Sequence, residues 1–241
     1  MRILITNDDS ISATQLLPLV RYCRKLGDVT VAVPLKEQSG KSHGIELHSP
    51  FYVAKQMLDN DVAAYVIDST PADCVRYALL GLGLKFDLVI SGINRGFNMG
   101  TDVMYSGTVA AVREAALQKT PAIAISTCPE YYEESTKHLD LVFDYFEKRK
   151  LLDIHNVYNV NIPHEPKGIV ITRQGCTYYT DQFVKAGEGL VKAQGKCVYT
   201  ASGDLSLDTD AVMSGYVSIM PITIDMTDKE IFKKITQEKQ D

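Results

Sequence analysis

The chain has 241 residues, of which 45% are hydrophobic, and its formal net charge is −5. This size and hydrophobic content favour one large α/β domain with an elaboration over two separate domains. The acidic balance without a basic cluster excludes duplex nucleic acid as an expected partner, because binding it requires many Lys and Arg residues.

Strand-like apolar runs alternate with helix-like runs up to about residue 162. The predicted strands are Arg2–Thr6, Val29–Val33, Ala64–Asp68, Phe86–Ser91, Ala122–Ser126 and Val157–Ile162. The predicted helices are Ala13–Lys25, Ala72–Leu82, Ser106–Gln118 and Tyr132–Arg149. This alternation predicts an α/β fold whose Rossmann-like core, residues 1–162, has a mostly parallel sheet with helices on both faces.

The pattern changes from Pro163 onward. Residues 168–201 contain several glycines, many Tyr and Thr residues, and no long helical period. This composition predicts an extended β-hairpin arm over residues 163–205, projecting from the core. Residues 206–241 are then expected to form a closing C-terminal strand and helix segment.

Two adjacent carboxylates, Asp8 and Asp9, follow the first predicted strand. Open α/β sheets bind ligands at the carboxyl ends of their strands. Neighbouring carboxylates repel and raise each other's pKa, so they indicate a hard cation such as Mg²⁺, Mn²⁺ or Ca²⁺. The alternative is a polar turn that only caps the next helix.

A glycine-rich loop, residues 92–100, follows the predicted strand Phe86–Ser91, and a helix then begins around Ser106-Gly107-Thr108. Free N–H groups at such a helix start, with the Ser106 and Thr108 hydroxyls, favour an anion site. Ordinary N-capping is the alternative. Neither the P-loop pattern nor the dinucleotide fingerprint is present.

A third polar segment, residues 38–44, follows the predicted strand Val29–Val33. Ser39 offers an oxygen to a hard cation, and Lys41 offers a positive charge to a phosphate. Taken alone, the segment is most simply a solvated loop. Its His43 could contact a substrate, but a solvated loop histidine is the preferred interpretation.

Together these motifs resemble the SurE family of survival proteins, metal-dependent 5′-nucleotidases and broader nucleoside-monophosphate phosphatases. The matching segments are residues 3–9 with Ile11, Gln38-Ser39-Gly40, residues 70–75, residues 87–94 with Gly96, Asn98 and Gly100, residues 105–111, residues 209–211 and residues 215–219.

The resemblance implies a fold, a chemistry and a set of site residues. It implies one divalent metal ion per subunit and a nucleoside monophosphate substrate, with Asp8 or Asp9 as the catalytic base. It also implies arms that exchange between subunits of a homodimer or homotetramer. The implied metal ligands are Asp8, Asp9, Ser39 and Asn94, and the implied phosphate-binding residues are Asn98, Ser106, Gly107 and Thr108.

The chain departs from the family pattern at Ser10 and Ser69, where the family usually has glycine. If position 10 requires a positive φ, serine adds strain there that glycine avoids. Neither departure removes an implied metal ligand.

Five widely spaced cysteines without a C-x-x-C pair indicate free thiols in a reducing compartment. No apolar run reaches ~18 residues, and the first residues lead into a core strand rather than a signal peptide. We therefore expect a soluble, cytoplasmic protein without a membrane partner.

Two functional hypotheses from different classes follow. The first is the phosphatase, and the second is a non-enzymatic nucleotide- or metal-binding sensor that uses the same pocket. The intact carboxylates favour the enzyme. An aspartyl-phosphate phosphatase is a weaker third option, because it requires Asp-x-Asp where this chain has adjacent aspartates.

Overall fold

A computed structural model describes residues 1–237, apart from the side chains of Tyr178 and Tyr179, so the last four residues of the predicted segment 206–241 lie outside the description. The strands are β1 Arg2–Thr6, β2 Asp28–Pro34, β3 Val53–Asp59, β4 Val62–Ile67, β5 Leu88–Arg95, β6 Ala122–Thr127, β7 Val157–Ile162, β8 Ile169–Ile171, β9 Tyr178–Tyr179, β10 Gln182–Gly187, β11 Leu190–Gln194, β12 Cys197–Val198 and β13 Val217–Pro221. The α-helices are α1 Leu16–Cys23, α2 Pro71–Arg76, α3 Gly107–Leu117, α4 Leu139–Arg149, α5 Leu151–Ile154, α6 Asp208–Met213 and α7 Lys229–Gln237.

One nine-stranded sheet organises the chain, in the order β3-β4-β2-β1-β5-β6-β7-β13-β8. The six strands from β4 to β7 are mutually parallel, which confirms the predicted mostly parallel sheet. The sheet continues past residue 162, because β13 pairs antiparallel with β7 and β8 pairs parallel with β13. At the other edge, β3 pairs antiparallel with β4.

Helices cover both faces of the sheet, as predicted, and the alternation of side chains along β1 shows why. Ile3 and Ile5 point to the face covered by α1 and α4, whereas Leu4 points to the face covered by α2 and α3. All three side chains are fully buried. A strand that is buried on both sides needs a continuous apolar sequence rather than alternating polarity.

Several predicted elements differ from the observed ones. The predicted helix 132–149 divides into a 3₁₀ segment, Pro129–His138, and α4, and Tyr131 inside the 3₁₀ segment has non-helical dihedral angles. The predicted helix 72–82 changes from α to π geometry at Tyr77. Strand β5 runs to Arg95, four residues further than predicted, and its register against β6 shifts between Ser91 and Asn94.

The predicted hairpin is present as β10 and β11, an antiparallel pair separate from the main sheet. Strands β9 and β12 form a second antiparallel pair. We refer to residues 175–201 as the arm. Within residues 1–237, none of the helices combines the length and apolar character that a membrane crossing requires.

Candidate active site

Asp8 and Asp9 lie just beyond the carboxyl end of β1, between the neighbouring strands β2 and β5. The side chain of Asp8 is buried, and its Oδ1 accepts a hydrogen bond from the hydroxyl of Thr108 at the start of α3. Oδ2 of Asp9 accepts a hydrogen bond from the backbone N–H of Arg95 at 3.1 Å. Neutral hydrogen-bond donors therefore orient both carboxylates.

The environment makes ionisation of this pair unfavourable. Burial raises the pKa of Asp8 above its ordinary value. Burial, followed by the negative charge of Asp8, raises the pKa of Asp9 to about 6. A cation beside the two carboxylates would favour their charged forms and relieve the repulsion between them.

Two further predicted ligands join Asp8 at one pocket. Asn94 donates its side-chain N–H to the carbonyl of Gly96 at 2.7 Å, which leaves its side-chain oxygen as the acceptor. Ser39 is exposed on the loop after β2, and the backbone N–H of Gln38 ties that loop to the carbonyl of Asp8 at 2.8 Å. Asp8, Ser39 and Asn94 all line this pocket, and Asp9 is adjacent in the chain.

The chemistry of this donor set fits a hard divalent cation. The four predicted ligands offer carboxylate, hydroxyl and amide oxygens, which are the ligands that Mg²⁺, Mn²⁺ and Ca²⁺ take. Within residues 1–237, no three His, Cys, Asp or Glu side chains form a metal-binding group. A cation here would thus depend on the neutral oxygens of Ser39 and Asn94 as well as on the two carboxylates.

Helix α3 begins at Gly107, directly beside Asp8. The Ser106 hydroxyl accepts a hydrogen bond from the N–H of Val109 at 3.1 Å, so Ser106 is the N-cap as well as a pocket-lining residue. A Cβ at position 107 would lie 2.9 Å from the Cβ of Asp8, so the close approach of the helix requires glycine. The hydroxyl and the backbone N–H of Thr108 are both directed at the Asp8 carboxylate rather than into the open pocket.

Polar side chains of the sheet form hydrogen bonds with both the backbone and the side chain of Asn98. Its backbone N–H donates to Oδ1 of Asn161 at 2.8 Å, and its side chain donates to the Ser126 hydroxyl at 2.9 Å. The side chains of Asn159 and Asn161 both donate to its carbonyl oxygen. Sequence reasoning missed this support, although alternating asparagines inside the buried strand β7 were an available signal.

Ser10 adopts a φ of +76°, which is the left-handed conformation that glycine tolerates best. The expected strain at this position is therefore present. Two local contacts support the turn: Asn7 donates its side-chain N–H to the Ser10 carbonyl at 2.9 Å, and the hydroxyls of Ser10 and Ser12 are 2.9 Å apart.

The pocket extends from Asp8 towards the arm and has a volume of about 740 Å³. The hydroxyl of Thr101 donates to the carbonyl of Thr177 at 2.6 Å, which docks the base of the arm onto the loop after β5. The buried carboxylate of Asp208 reinforces this contact by accepting from the N–H groups of Gly100 and Gly175. The remaining lining, which the sequence did not indicate, includes Arg95, Phe97, Asp102, Tyr105, Thr177 and Asp181.

Two candidates from the segment 38–44 lie elsewhere. Lys41 lines a different pocket, together with Tyr52 and Asp68, so the structure does not bring its charge to the Asp8 site. His43 is not a simple solvated loop residue, because its Nε2 lies 3.0 Å from Oε2 of Glu114.

The fold and the pocket together define a class of protein: an α/β protein with two adjacent aspartates beside a helix start at the carboxyl ends of its parallel strands. The family model described as survival protein SurE matches residues 3–181. The chain belongs to the SurE family.

Relatives of known name cover nearly the whole chain. The 5′-nucleotidase SurE of Fervidobacterium nodosum is 37% identical, with 98% of this chain and 96% of the relative aligned. The 5′-nucleotidase SurE of Caldanaerobacter subterraneus subsp. tengcongensis is 38% identical, over 99% and 98%. The crystal structure of the SurE protein from Aquifex aeolicus superposes with a TM-score of 0.75 at 31% identity, covering 99% of both chains.

We predict that Asp9→Asn stabilises the metal-free protein at pH 8 and does so about half as strongly at pH 5. The folded-state pKa of about 6 exceeds the ordinary value of 3.8, so the ionised carboxylate opposes folding. The resulting decrease in the free energy of unfolding is fully present above about pH 6 and disappears as the pH falls towards 4. Thermal melts in EDTA at both pH values measure it, with Asp153→Asn at an exposed position as the control. A lower melting temperature for Asp9→Asn at pH 8 would contradict the assignment.

Substitution of Ser106 by Ala should lower kcat/KM for a phosphate monoester by about 10- to 100-fold, because one hydrogen bond to a charged group contributes about 1.5–3 kcal/mol. The matched control is Thr70→Ala, which removes the same kind of N-cap from α2. Steady-state kinetics and melts of both variants separate the two roles. If both variants lose only stability, Ser106 is a cap without a part in phosphate binding.

Proposed function

We propose that this chain is a 5′-nucleotidase that hydrolyses nucleoside 5′-monophosphates to a nucleoside and phosphate, with one divalent cation per subunit. The observation that carries this proposal is the meeting of two sites in one pocket. The carboxylates at the end of β1 supply a cation site, and the start of α3 supplies an anion site that touches Asp8. A phosphate monoester needs both at once.

Each group has a defined task in this reaction. A bound divalent cation would polarise a phosphoryl oxygen and lower the pKa of a water molecule. The side chains of Asn98 and Ser106, with the backbone N–H of Gly107, bind and orient the phosphoryl oxygens. A carboxylate oxygen of Asp8 or Asp9 takes the proton of the attacking water as the new P–O bond forms. The Thr108 hydroxyl keeps Asp8 oriented for this task. The P–O bond to the 5′ oxygen then breaks, and that oxygen takes a proton from solvent to leave as the nucleoside hydroxyl.

The shape of the site suits a terminal phosphate. One helix start and one cation site offer contacts for a single phosphoryl group, whereas the pocket volume of about 740 Å³, with Phe97 and Tyr105 in its lining, leaves room for a nucleoside. Nothing in this arrangement follows a polymer backbone, and the net charge of −5 repels a polyanion. We therefore do not expect duplex DNA to be bound or cut.

The enzyme is favoured over a non-enzymatic nucleotide sensor. A sensor needs the phosphate-binding helix start but not two carboxylates whose ionised forms are disfavoured by burial. The relatives that align over the whole chain carry the name 5′-nucleotidase SurE.

We expect phosphate release from AMP or GMP in the presence of Mg²⁺, Mn²⁺ or Ca²⁺, and its loss in EDTA. Asp8→Asn should lower turnover by more than about 100-fold, exceeding the effect typical of outer-shell partners. Exposed Asp153→Asn is the matched control. Nucleotide binding by the wild type without phosphate release from any monophosphate under any metal would support the sensor instead, and tight duplex binding at physiological salt would support a nuclease.

We also propose that the chain forms a homodimer or homotetramer through the arm and α7. Three apolar residues of the arm hairpin, Phe183, Leu190 and Val191, are exposed. Helix α7 carries the exposed apolar residues Ile231, Phe232 and Ile235 and no buried ones. An exposed apolar surface of this kind is typical of an interface between subunits.

Light scattering coupled to size-exclusion chromatography should therefore give two or four times the monomer mass of 26.7 kDa. Phe183→Ser combined with Phe232→Ser should shift the protein towards the monomer. Ile154→Ser, which changes an equally exposed apolar residue after α4, should leave the mass unchanged. A monomeric wild type would refute the assembly.

A further inference from the structure

The loop that carries Ser39 is attached to the rest of the site at a few points. We call residues 35–44 the Ser39 loop. The backbone N–H of Gln38 donates to the carbonyl of Asp8 at 2.8 Å, and the backbone N–H of Ser42 donates to the carbonyl of Tyr105 at 3.0 Å. Ser39 itself is exposed between these two contacts. Its position at the pocket therefore depends on how well the loop is fixed.

His43 provides a third attachment, and this one is a side-chain contact. Its Nε2 lies 3.0 Å from Oε2 of Glu114, and the two side chains are only 21% and 4% exposed. Glu114 belongs to α3, the helix whose start forms the proposed phosphate site. The described lining of the substrate pocket does not include His43. The contact thus joins the Ser39 loop to the phosphate-binding helix, outside the pocket itself.

Glu114 is a firm anchor because it is an ionised carboxylate with several partners. Burial alone would raise its pKa, but hydrogen bonds from His43 and Gln118 and the positive charge of Arg76 outweigh burial and hold the pKa below the ordinary value. Arg76 approaches it at 3.4 Å and Gln118 at 3.1 Å. An ionised carboxylate only accepts, so Nε2 of His43 is the donor in a charge-assisted hydrogen bond.

The stretch beyond the loop is held separately. The backbone N–H of Glu46 donates to Oδ2 of Asp73 on α2 at 2.8 Å, and the Ser69 hydroxyl donates to the same oxygen at 2.6 Å. Removing the His43 side chain would therefore take away one of the three attachments of the Ser39 loop without detaching the chain that follows it.

We propose that His43 is a positioning residue for Ser39, acting through Glu114 to hold the Ser39 loop at the cation and phosphate sites. The hydrogen bond fixes the distance between the loop and α3, and so between the Ser39 oxygen and the donors at the helix start. Only the kinetic part of the test below rests on the proposed 5′-nucleotidase function.

The first test uses the metal-free protein and no substrate. Hydrogen–deuterium exchange of the Gln38 and Ser42 amides should accelerate by about tenfold in His43→Ala, since one charge-assisted contact is lost. His43→Gln retains an N–H donor and should restore much of the protection. His48→Ala changes an exposed histidine five residues further along and should have no effect. Unchanged exchange in His43→Ala would overturn the proposal.

The second test measures the site itself. Calorimetric affinity for Mn²⁺ should weaken by about fivefold or more in His43→Ala, and kcat/KM for AMP should fall with it, while His43→Gln recovers both. Glu114→Gln should act in the same direction, and the double variant should have less than the sum of the two single effects, because both changes weaken the His43–Glu114 contact. A lower melting temperature with unchanged Mn²⁺ affinity and kinetics would make the contact purely structural.

These measurements also separate the two levels of inference. A wild type that releases no phosphate refutes the proposed function, whereas the exchange experiment still decides the role of His43. Loss of activity in His43→Ala with normal exchange and normal Mn²⁺ affinity would mean that His43 acts on the substrate, which contradicts the positioning role.

Discussion

The repulsion between two carboxylates at the end of a buried strand is the constraint on which the rest of this molecule depends. Asp8 and Asp9 lie where water is scarce, and the contacts that orient them come from a threonine hydroxyl and a backbone N–H. Burial and the proximity of the two charges disfavour their ionised forms. A cation placed between them would relieve this repulsion, which is why the proposed chemistry is centred on this pair.

The sheet order explains how so many polar groups reach this pair. The chain builds the sheet outward from β1 in both directions, with β2 and β4 on one side and β5, β6 and β7 on the other. The loops after β2 and β5 therefore flank the loop after β1, which is the switch point where open α/β sheets bind ligands. Helix α3 completes the site from behind, because Gly107 allows its first turn to contact Asp8.

The features that could be predicted from the sequence were those that leave a local residue pattern at the site. The apolar run of β1, the glycine-rich loop and the Ser106-Gly107-Thr108 helix start were all identifiable, because strand burial, tight turns and helix caps leave strong local signatures. Pairing partners leave no such signature. The antiparallel edge strand β3 and the return of β13 to the sheet depend on contacts between distant segments. The Asn98 support on β7 and the His43 contact escaped prediction for the same reason.

The contact between Thr177 and Thr101 makes the arm part of the pocket, in addition to its role in the proposed subunit interface. Thr177 belongs to the arm, and yet it forms part of the pocket wall. The geometry of that wall is consequently shared between the catalytic core and a segment that reaches away from it. Substitutions at Thr177 or Asp181 in the arm therefore alter the wall of the pocket while the two carboxylates at the end of β1 stay in place.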